Sequence, residues 1–326
     1  MKNKKTADLI FAKIKEYDKI VISRHLRPDG DALGSTKGLA EALRASFPKK
    51  QIVLASEDAS QNLAFLGPDD GQPDDAFYAD ALLIVLDCAT PSRISNKKYA
   101  LAKEVIKIDH HPNICPYGDI SWIEPERSSV CEMVALFCKE YAKEIITTAK
   151  AACFLYAGMI TDSGRFKYSV NGDTMRIAGF LLDKGIDTET LFAQLNLDDY
   201  SWLKYKSFVY RNMKMTPNGV AYIRITRKTS ERFALTTEQA SETVYMMESI
   251  KGCLIWLAFI DYEDGTTRVR LRSRFLHINE IAEKYGGGGH ECASGATLRG
   301  AKQIKQLLCD CDALLGEYKS THEGWL

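Results

Sequence analysis

The stretch that decides the fold is Val105–Ile106–Lys107–Ile108–Asp109–His110–His111–Pro112. Its apolar, β-branched beginning is typical of a buried strand, and Pro112 ends that strand because proline cannot donate a ladder hydrogen bond. An acid and two imidazoles therefore stand where the strand stops. The pattern predicts a strand that delivers polar side chains at its carboxyl end.

Three other stretches in the first half of the chain also end in polar side chains: His25, Asp29 and Asp31 after 19–23, Asp87 after 81–86, and Asp162 after a helix predicted over 149–160. If the strands lie parallel in one sheet, their carboxyl ends share an edge, which is where open α/β sheets bind ligands. We therefore expect these side chains to converge with His110.

Composition excludes several classes of protein. The 326 residues are 45% hydrophobic and 26% charged, which is typical of a globular chain with room for two cores. Basic and acidic residues both total 43, so the net charge is +0 and no overall field draws the protein to nucleic acid or membrane. Residues 1–17 have no uninterrupted apolar core, which favours the first helix of a cytoplasmic protein over a signal peptide or membrane span.

Two domains with different patterns of secondary structure are predicted. Residues 1–186 alternate strands with helices, which indicates an α/β domain with a parallel sheet and right-handed crossovers. Residues 187–215 are helical and lack a Gly/Ser or Pro run, which favours a connecting helix over a loose linker. Residues 216–326 are typical of a smaller α+β domain, with a hairpin formed by 253–261 and 267–274.

Two helices in these domains follow from local signals. A helix over 33–46 has Asp31 and Ser35 as candidate caps, because short polar side chains can accept from the first backbone N–H groups. A second helix is predicted over 237–250 in the second domain.

Two imidazoles and four carboxylates among the converging side chains are suited to bind metal: His25, Asp29, Asp31, Asp87, His110 and Asp162. A single aspartate after a strand is more often a turn former or cap, but four coinciding motifs that hold three of the six histidines favour a site. Four carboxylates balance two divalent cations, and oxygen and imidazole ligands favour manganese, with magnesium or cobalt as substitutes. Asp87 is the candidate shared ligand. Two such ions would activate water for attack on a phosphoryl group.

A second candidate site begins with four consecutive glycines, Gly286–Gly289, which are followed by His290. One glycine suffices to end a helix, whereas four let backbone amides approach a ligand, as a loop that cradles phosphate requires. His290 could then donate to a phosphate. The stretch therefore favours an anion-binding loop over a simple helix stop.

Alternating arginines stand upstream of the glycines, at 268, 270, 272 and 274. A period of two places all of them on one face of a strand, where guanidinium groups could bind phosphate bidentately. Arg272 is the predicted anion clamp. For Arg268 and Arg274 a solvated edge position is the expectation.

Together these motifs resemble the DHH/DHHA1 phosphoesterases. The likeness spans nearly the whole chain and rests on His25-x-x-x-Asp29-x-Asp31, Asp87, Asp109–His110–His111, Asp162 and the run from Gly286 to His290. In size and domain order the chain is similar to the bacterial nano-RNases and pAp phosphatases of that family. The resemblance implies a parallel-sheet N-terminal DHH domain with flanking helices, a smaller α+β C-terminal DHHA1 domain, and an active-site cleft between them.

The resemblance also implies a role for each site residue. His25, Asp29 and Asp87 would hold one manganese, and Asp31, Asp87, His110 and Asp162 the other. His111 would face the substrate phosphate, and Asp109 would orient neighbouring groups. The far phosphate or 3′ end would bind to Arg272, Gly288, Gly289 and His290.

The activity implied is hydrolysis of short substrates: nanoRNA, pAp, linear dinucleotides such as pApA, or cyclic di-AMP. The resemblance alone also suggests a homodimer. One alternative is a family II-like manganese pyrophosphatase, which the glycine–histidine run disfavours; another is a nucleotide-binding or sensing protein without turnover, which would require a broken metal set. A long-strand exonuclease is disfavoured because the chain has no basic excess.

Overall fold

The computed structural model describes residues 2–60 and 62–322. The chain divides into two compact units, Met1–Leu197 and Asp198–Leu326, and each is described by itself. Where one connecting helix was predicted over 187–215, the structure has two helices, Thr188–Asn196 and Tyr200–Asn212. The backbone between them is extended, and the boundary between the units falls there.

The first unit alternates strands and helices in chain order: α1 (Lys4–Glu16), β1 (Lys19–Ser23), α2 (Gly30–Ser46), β2 (Gln51–Leu54), α3 (Asp75–Ala79), β3 (Leu82–Leu86), β4 (Glu104–Asp109), β5 (Ile120–Ile123), α4 (Val130–Glu140), α5 (Ala149–Asp162), α6 (Gly172–Leu182) and α7 (Thr188–Asn196). Short 3-10 helices lie at Ala64–Leu66, Pro91–Arg93 and Tyr99–Leu101.

The strands of the first unit form one parallel sheet in the order β2-β1-β3-β4-β5. Every residue of β3 is buried, as a parallel sheet covered on both faces requires. The strand order reverses between β1 and β3, and such switch points are where open α/β sheets bind ligands. The predicted parallel α/β domain is confirmed; the sequence had not indicated β5.

Apolar side chains alternate between the two faces of this sheet. Ile20, Ile22 and Ile84 face a large core shared with α1, α2, α4, α5 and α6. Val21 and Leu83 face a smaller cluster on the other side. The sheet is thereby fixed between two apolar layers, and its carboxyl edge is held in a defined position.

One predicted helix cap is wrong. Helix α2 begins at Gly30, and Asp29 is its N-cap, with its side chain accepting from the N–H groups of Asp31 and Ala32. Asp29 has the extended backbone that a capping residue needs, whereas Asp31 and Ser35 already lie inside the helix. Asp29 and Asp31 therefore both lie at the first turn of α2, at its amino-terminal end.

The second unit is a smaller mixed α+β structure: α8 (Tyr200–Asn212), β6 (Lys214–Met215), β7 (Ala221–Ile225), α9 (Arg227–Phe233), α10 (Thr237–Glu242), β8 (Ile255–Asp261), β9 (Thr266–Ser273), α11 (Asn279–Lys284), β10 (Gly288–His290), β11 (Ala293–Arg299) and α12 (Gly300–Thr321). The helix predicted over 237–250 is shorter, because α10 continues as a 3-10 helix, Thr243–Met247.

The sheet of the second unit has the order β10-β11-β9-β8-β7-β6, with only the β7–β8 pair parallel. Val269 and Leu271 face a core with α11 and α12, whereas Trp256 and Ala258 face a second core with α8 and α10. The predicted α+β domain and its β8–β9 hairpin are confirmed.

Among the described residues, no helix is both long and apolar enough to cross a membrane. The nine cysteines are all free.

Candidate metal centre

The candidate ligands of the first unit lie at the switch point of the parallel sheet. His25, Asp87 and His110 follow the carboxyl ends of β1, β3 and β4. Asp87 has a φ of 54°, a left-handed conformation that is costly for a residue with a side chain. The chain thus turns sharply after β3 at the residue that the sequence predicts to be shared by two ions.

Close helix packing brings the remaining carboxylates to the same place. A Cβ on Gly30 would lie 2.1 Å from Oγ1 of Thr161, so only glycine lets the first turn of α2 meet the last turn of α5. Asp31 lies in that first turn and Asp162 is the last residue of α5. Two carboxylates distant in sequence are therefore held beside each other.

Three overlapping groups of side chains are close enough to share cations: His25, Asp29 and Asp87; Asp31, His110 and Asp162; and Asp87, His110 and His111. The donor atoms within each group lie within 4.8 Å of one another. Nε2 of His25 is 3.4 Å from Asp87, and Nε2 of His110 is 3.4 Å from Asp162. The structure brings all six predicted ligands together, with Asp87 in two groups.

Hydrogen bonds set the orientation of the imidazoles. Nδ1 of His25 is 2.9 Å from the carbonyl of Leu26, and Nδ1 of His110 is 3.2 Å from the carbonyl of Arg127. Because a carbonyl only accepts, these two contacts favour the tautomer with the proton on Nδ1, although at His25 the donor Nη2 of Arg93 also lies 3.3 Å from Nδ1. Each Nε2 is directed at the carboxylates. This is the tautomer that a metal-binding histidine needs.

The cluster is electrostatically strained without a cation. Burial would lower the pKa of His25, but Asp29 and Asp87 outweigh it and raise that pKa to about 10. Burial, followed by the charges of Asp87 and neighbouring acids, raises the pKa of Asp31 well above its usual range, and burial raises that of Asp162 to about 6. Asp31 and Asp162 therefore bind protons more readily than an ordinary aspartate, and a metal ion would replace those protons.

A divalent cation fits this donor set. Asp87 is 1% exposed, and its Oδ1 has no hydrogen-bond partner among the described residues. A buried carboxylate oxygen is normally hydrogen-bonded or bound to metal. Imidazole nitrogens and carboxylate oxygens together are ligands that manganese and related ions accept.

Asp109 and His111 form a separate pair beside the cluster. Oδ1 of Asp109 accepts from the backbone N–H of His111 at 3.0 Å and from its Nδ1 at 2.8 Å. This hydrogen bond raises the pKa of His111. Asp109 lies in none of the three metal groups, so its position is compatible with the orienting role that the resemblance implies.

Two supporting contacts were missed from the sequence. The N–H groups of Val130 and Cys131, at the start of α4, donate to the two oxygens of Asp31 at 2.7 and 2.8 Å. Arg127, whose carbonyl binds His110, is itself paired with two buried glutamates. The contacts to Asp31 and His110 join separate segments, so no local signal could reveal them, whereas Arg127 and its two glutamates are close in sequence.

The second candidate site is a basic face on β9. Arg268, Arg270 and Arg272 project from one face of this strand. Among the described residues of this unit, no ion pair joins any of them to a carboxylate. Arg270 is partly buried with its Nε unpartnered, and burial together with the charges of Arg268 and Arg272 lowers its pKa.

Strand register places His290 on the same face as Arg272. His290 pairs with Ala293, and Ala293 pairs with Arg272, so the three lie in one row across the sheet. Two strand spacings of ~4.8 Å separate the outer members, with only a methyl group between them. The hydroxyl of Tyr245, 3.1 Å away, helps to hold the Arg272 guanidinium.

Three of the four glycines before His290 have a structural reason, one in a turn and two in close packing. Gly286, with a φ of 68°, follows the end of α11, and a Cβ on Gly287 or Gly289 would lie 2.2 or 2.5 Å from a carbonyl oxygen of β11. Both Gly286 and Gly288 have open space where a Cβ would be, but only Gly288 also has a backbone φ outside the left-handed region. The expected cradling loop is partly wrong, because Gly288–His290 forms the strand β10.

The expectation for the outer arginines is also corrected. β9 is paired on both sides and is no edge strand. Arg268 donates to the hydroxyl of Thr297 at 3.0 Å. Arg274 donates to the carbonyls of Glu248 and Cys253, so it holds the chain before β8 rather than facing solvent.

Known proteins share both domains. The model of the DHH family, N-terminal domain, matches residues 19–159, and that of the DHHA1 domain matches residues 218–317. The chain is 38% identical to the bifunctional oligoribonuclease and PAP phosphatase NrnA of Bacillus subtilis (strain 168), over 93% of this chain and 96% of that protein. It is also 38% identical to the Streptococcus mutans protein named "Probable bifunctional oligoribonuclease and PAP phosphatase NrnA", over 88% of this chain and 92% of that protein.

A solved structure agrees with these matches. An exopolyphosphatase-related protein from Bacteroides fragilis has a TM-score of 0.85 and 28% sequence identity, over 96% of this chain and 98% of that chain. The similarity covers both domains and the segments that carry the candidate ligands. The chain therefore belongs to the DHH/DHHA1 family of phosphoesterases.

Proposed function

We propose that this DHH-family phosphoesterase is a manganese-dependent, two-metal hydrolase of short nucleotides. Its proposed substrates are nanoRNA oligonucleotides, pAp and linear dinucleotides such as pApA, with cyclic di-AMP as a further candidate, and its products are mononucleotides. The observation that carries the proposal is the buried carboxylate of Asp87, which belongs to two groups of candidate ligands and whose Oδ1 has no hydrogen-bond partner among residues 2–60 and 62–322. The names of the relatives from Bacillus subtilis and Streptococcus mutans support the substrate class.

Each candidate ligand has a place in this proposal. One ion would be held by His25, Asp29 and Asp87, and the other by Asp31, Asp87, His110 and Asp162. Bound ions would supply an activated water and neutralise charge on the phosphoryl group. His111, held through Nδ1 by Asp109, would present Nε2 to a phosphoryl oxygen.

The second unit would capture a different part of the substrate. Arg272 and His290 share one face, and the open position at Gly288 leaves room for an anion beside them. Gly289 would contribute through its backbone. Because hydrolysis and end capture are assigned to different domains, the proposal predicts a preference for short chains over long polymers.

The alternative activities are less well supported. A pyrophosphatase would use the same metal cluster, but this function would leave the basic face of β9 without a role. A binding protein without turnover would not need six intact candidate ligands. The cytoplasmic location remains a prediction from the sequence, and the homodimer remains a prediction from the resemblance.

The test is a side-by-side assay of the purified protein with manganese. Substrates are pAp, pApA, cyclic di-AMP, RNA of two to five nucleotides and pyrophosphate, each with and without a chelator. We expect turnover of the short nucleotides that the chelator abolishes. Hydrolysis of pyrophosphate with no action on any nucleotide would overturn the proposal.

A further inference from the structure

Lys107 is a fully buried cation next to the candidate metal centre, and no role described above uses it. Its side chain is 0% exposed, two residues before Asp109 on the same face of β4. Nζ lies 3.1 Å from the carbonyl of Ala89 and 3.5 Å from Oδ1 of Asn113. It also lies 4.5 Å from the centre of the Tyr117 ring. The lysine therefore contacts the segments that follow both β3 and the DHH motif.

The two oxygens of Asp109 are divided between two partners. Oδ1 accepts both hydrogen bonds from His111, whereas Oδ2 has no hydrogen-bond partner in the described part of the chain and faces the Lys107 ammonium at 3.5 Å. Asp109 is itself 0% exposed, so water cannot replace either partner. With only His111 attached, the carboxylate would be free to turn about its Cβ–Cγ bond. The ammonium supplies the second anchor.

A purely structural reason does not account for this lysine. Its face of the sheet packs against an apolar cluster that includes Val85, Cys88 and Val105, where a methionine or leucine would fill the same space. Burying a charge is costly unless it is paired, and replacing a buried pair by apolar residues often leaves stability unchanged. The charge is thus better explained by what it orients than by what it stabilises.

We propose that Lys107 is a positioning residue for the phosphoester hydrolysis. It acts through Asp109: the ammonium fixes the carboxylate, and the carboxylate fixes the imidazole of His111 so that Nε2 meets the substrate phosphate. The inference rests on the proposed function, because the contact of His111 with substrate belongs to it.

The first experiment compares Lys107→Met with Lys37→Met. Lys37 is the matched control, because it is also a buried lysine in the first unit, paired with Asp69 at 3.0 Å, which lies in none of the metal groups. We expect Lys107→Met to lower kcat for pAp by roughly 10- to 100-fold, the usual effect of losing an orienting partner, without changing manganese affinity. Lys37→Met should leave kcat near the wild-type value. An unchanged kcat in Lys107→Met, or a matching loss of manganese affinity, would overturn the proposal.

A double-mutant cycle separates positioning from general support of the site. If Lys107 acts through His111, then Lys107→Met should cause no further loss of kcat in a His111→Ala background. The same fold-loss in both backgrounds would show that Lys107 supports the site independently of His111 and would refute the proposal.

Asn113→Ala covers the case in which Lys107→Met does not fold. Asn113 is exposed, so its variant should fold while loosening the ammonium. We expect a smaller loss of kcat, roughly 2- to 5-fold, that again disappears in His111→Ala. An unfolded Lys107→Met together with an unaffected Asn113→Ala would assign Lys107 to the fold alone and reject the positioning role.

Failure of the Lys107 proposal can be distinguished from failure of the proposed function. If the wild-type protein hydrolyses none of the substrates, the proposed function fails, and the nitrogen NMR signals of His111 test Lys107 directly. We expect Asn113→Ala or Lys107→Met to shift the Nδ1 signal of His111 as its hydrogen bond to Asp109 loosens. Identical spectra for the wild type and both variants would contradict the positioning role.

Discussion

The two units bring together charged side chains of opposite sign: carboxylates in the first unit and arginines in the second. In the first, four carboxylates crowd around His25 and His110, and burial with mutual repulsion raises the pKa of Asp31 and Asp162. In the second, three arginines lie along β9 without a carboxylate partner among the described residues. Each arrangement is unfavourable alone and would be relieved by an ion of opposite sign. Local conflicts of this kind concentrate at functional sites, so the contrast supports the proposal of a cation in one unit and an anion in the other.

The largest effect is expected from the first unit. Asp87→Ala should lower kcat by at least roughly 10³-fold, because bound metal supplies several kcal/mol of transition-state stabilisation. Binding of pAp through the basic face should survive, which calorimetry can measure. The control is Asp80→Ala, an exposed aspartate just before β3. Loss of binding and hydrolysis to the same extent would contradict the division between the units.

Metal addition should stabilise the first unit. At manganese concentrations 100 times Kd, binding adds about 2.7 kcal/mol to the free energy of unfolding. We expect a higher Tm for the wild type in thermal unfolding and little change for Asp87→Ala. Equal shifts for the two proteins would show that the metal binds elsewhere.

The same cluster predicts how stability depends on pH. The pKa of His25 is raised to about 10 and that of His110 to about 9, from 6.5 in the unfolded chain. The stability contributed by these protons is therefore fully present below pH 6.5 and is lost as the pH rises towards 9 to 10. The Tm of the metal-free protein should fall over this range, whereas magnesium-saturated protein should change less, because the cation replaces the protons. Parallel curves would contradict this account.

A smaller effect is expected on the basic face. Arg272→Ala should raise KM for pAp by roughly 10- to 30-fold, the loss of one charge-assisted hydrogen bond, while kcat changes little. Arg224→Ala is the control, because Arg224 is already paired with Asp261. A fall in kcat at constant KM would remove the assignment of Arg272 to substrate binding.

The smallest effect is expected from Gly288→Ala, for which the neighbouring Gly289→Ala is the comparison. Gly288→Ala should keep the wild-type Tm, since a Cβ there meets open space, and should raise KM by only roughly 2- to 5-fold. Gly289→Ala should lower Tm, because its φ is 144° and its Cβ would collide with β11. Equal thermal effects of the two substitutions would contradict the register of β10 and β11.

The strand-end site was predictable because its signals are local. Each apolar run followed by His25, Asp87 or His110 is visible in the sequence, and the parallel order of strands then requires their ends to meet. Three of the six candidate ligands follow from these two facts, whereas Asp29, Asp31 and Asp162 lie at the ends of helices α2 and α5. The family resemblance added roles to residues that the pattern had already singled out.

What the sequence did not predict depends on contacts between distant segments. The N–H groups at the start of α4 bind Asp31, and Gly30 meets Thr161, yet nothing near these residues indicates either partner. Lys107 lies in the stretch Val105–Pro112, and nothing in that stretch distinguishes it from any other strand residue. Its burial against Asp109 became visible only once the sheet was formed.

The central claim is that six side chains at the carboxyl edge of one parallel sheet bind two cations that share Asp87. Anomalous diffraction from crystals of the manganese-saturated protein tests it most directly. The account predicts two manganese peaks, both within ligand distance of Asp87, one beside His25 and the other beside His110. Manganese found only away from Asp87, or no peak at this edge, would contradict it.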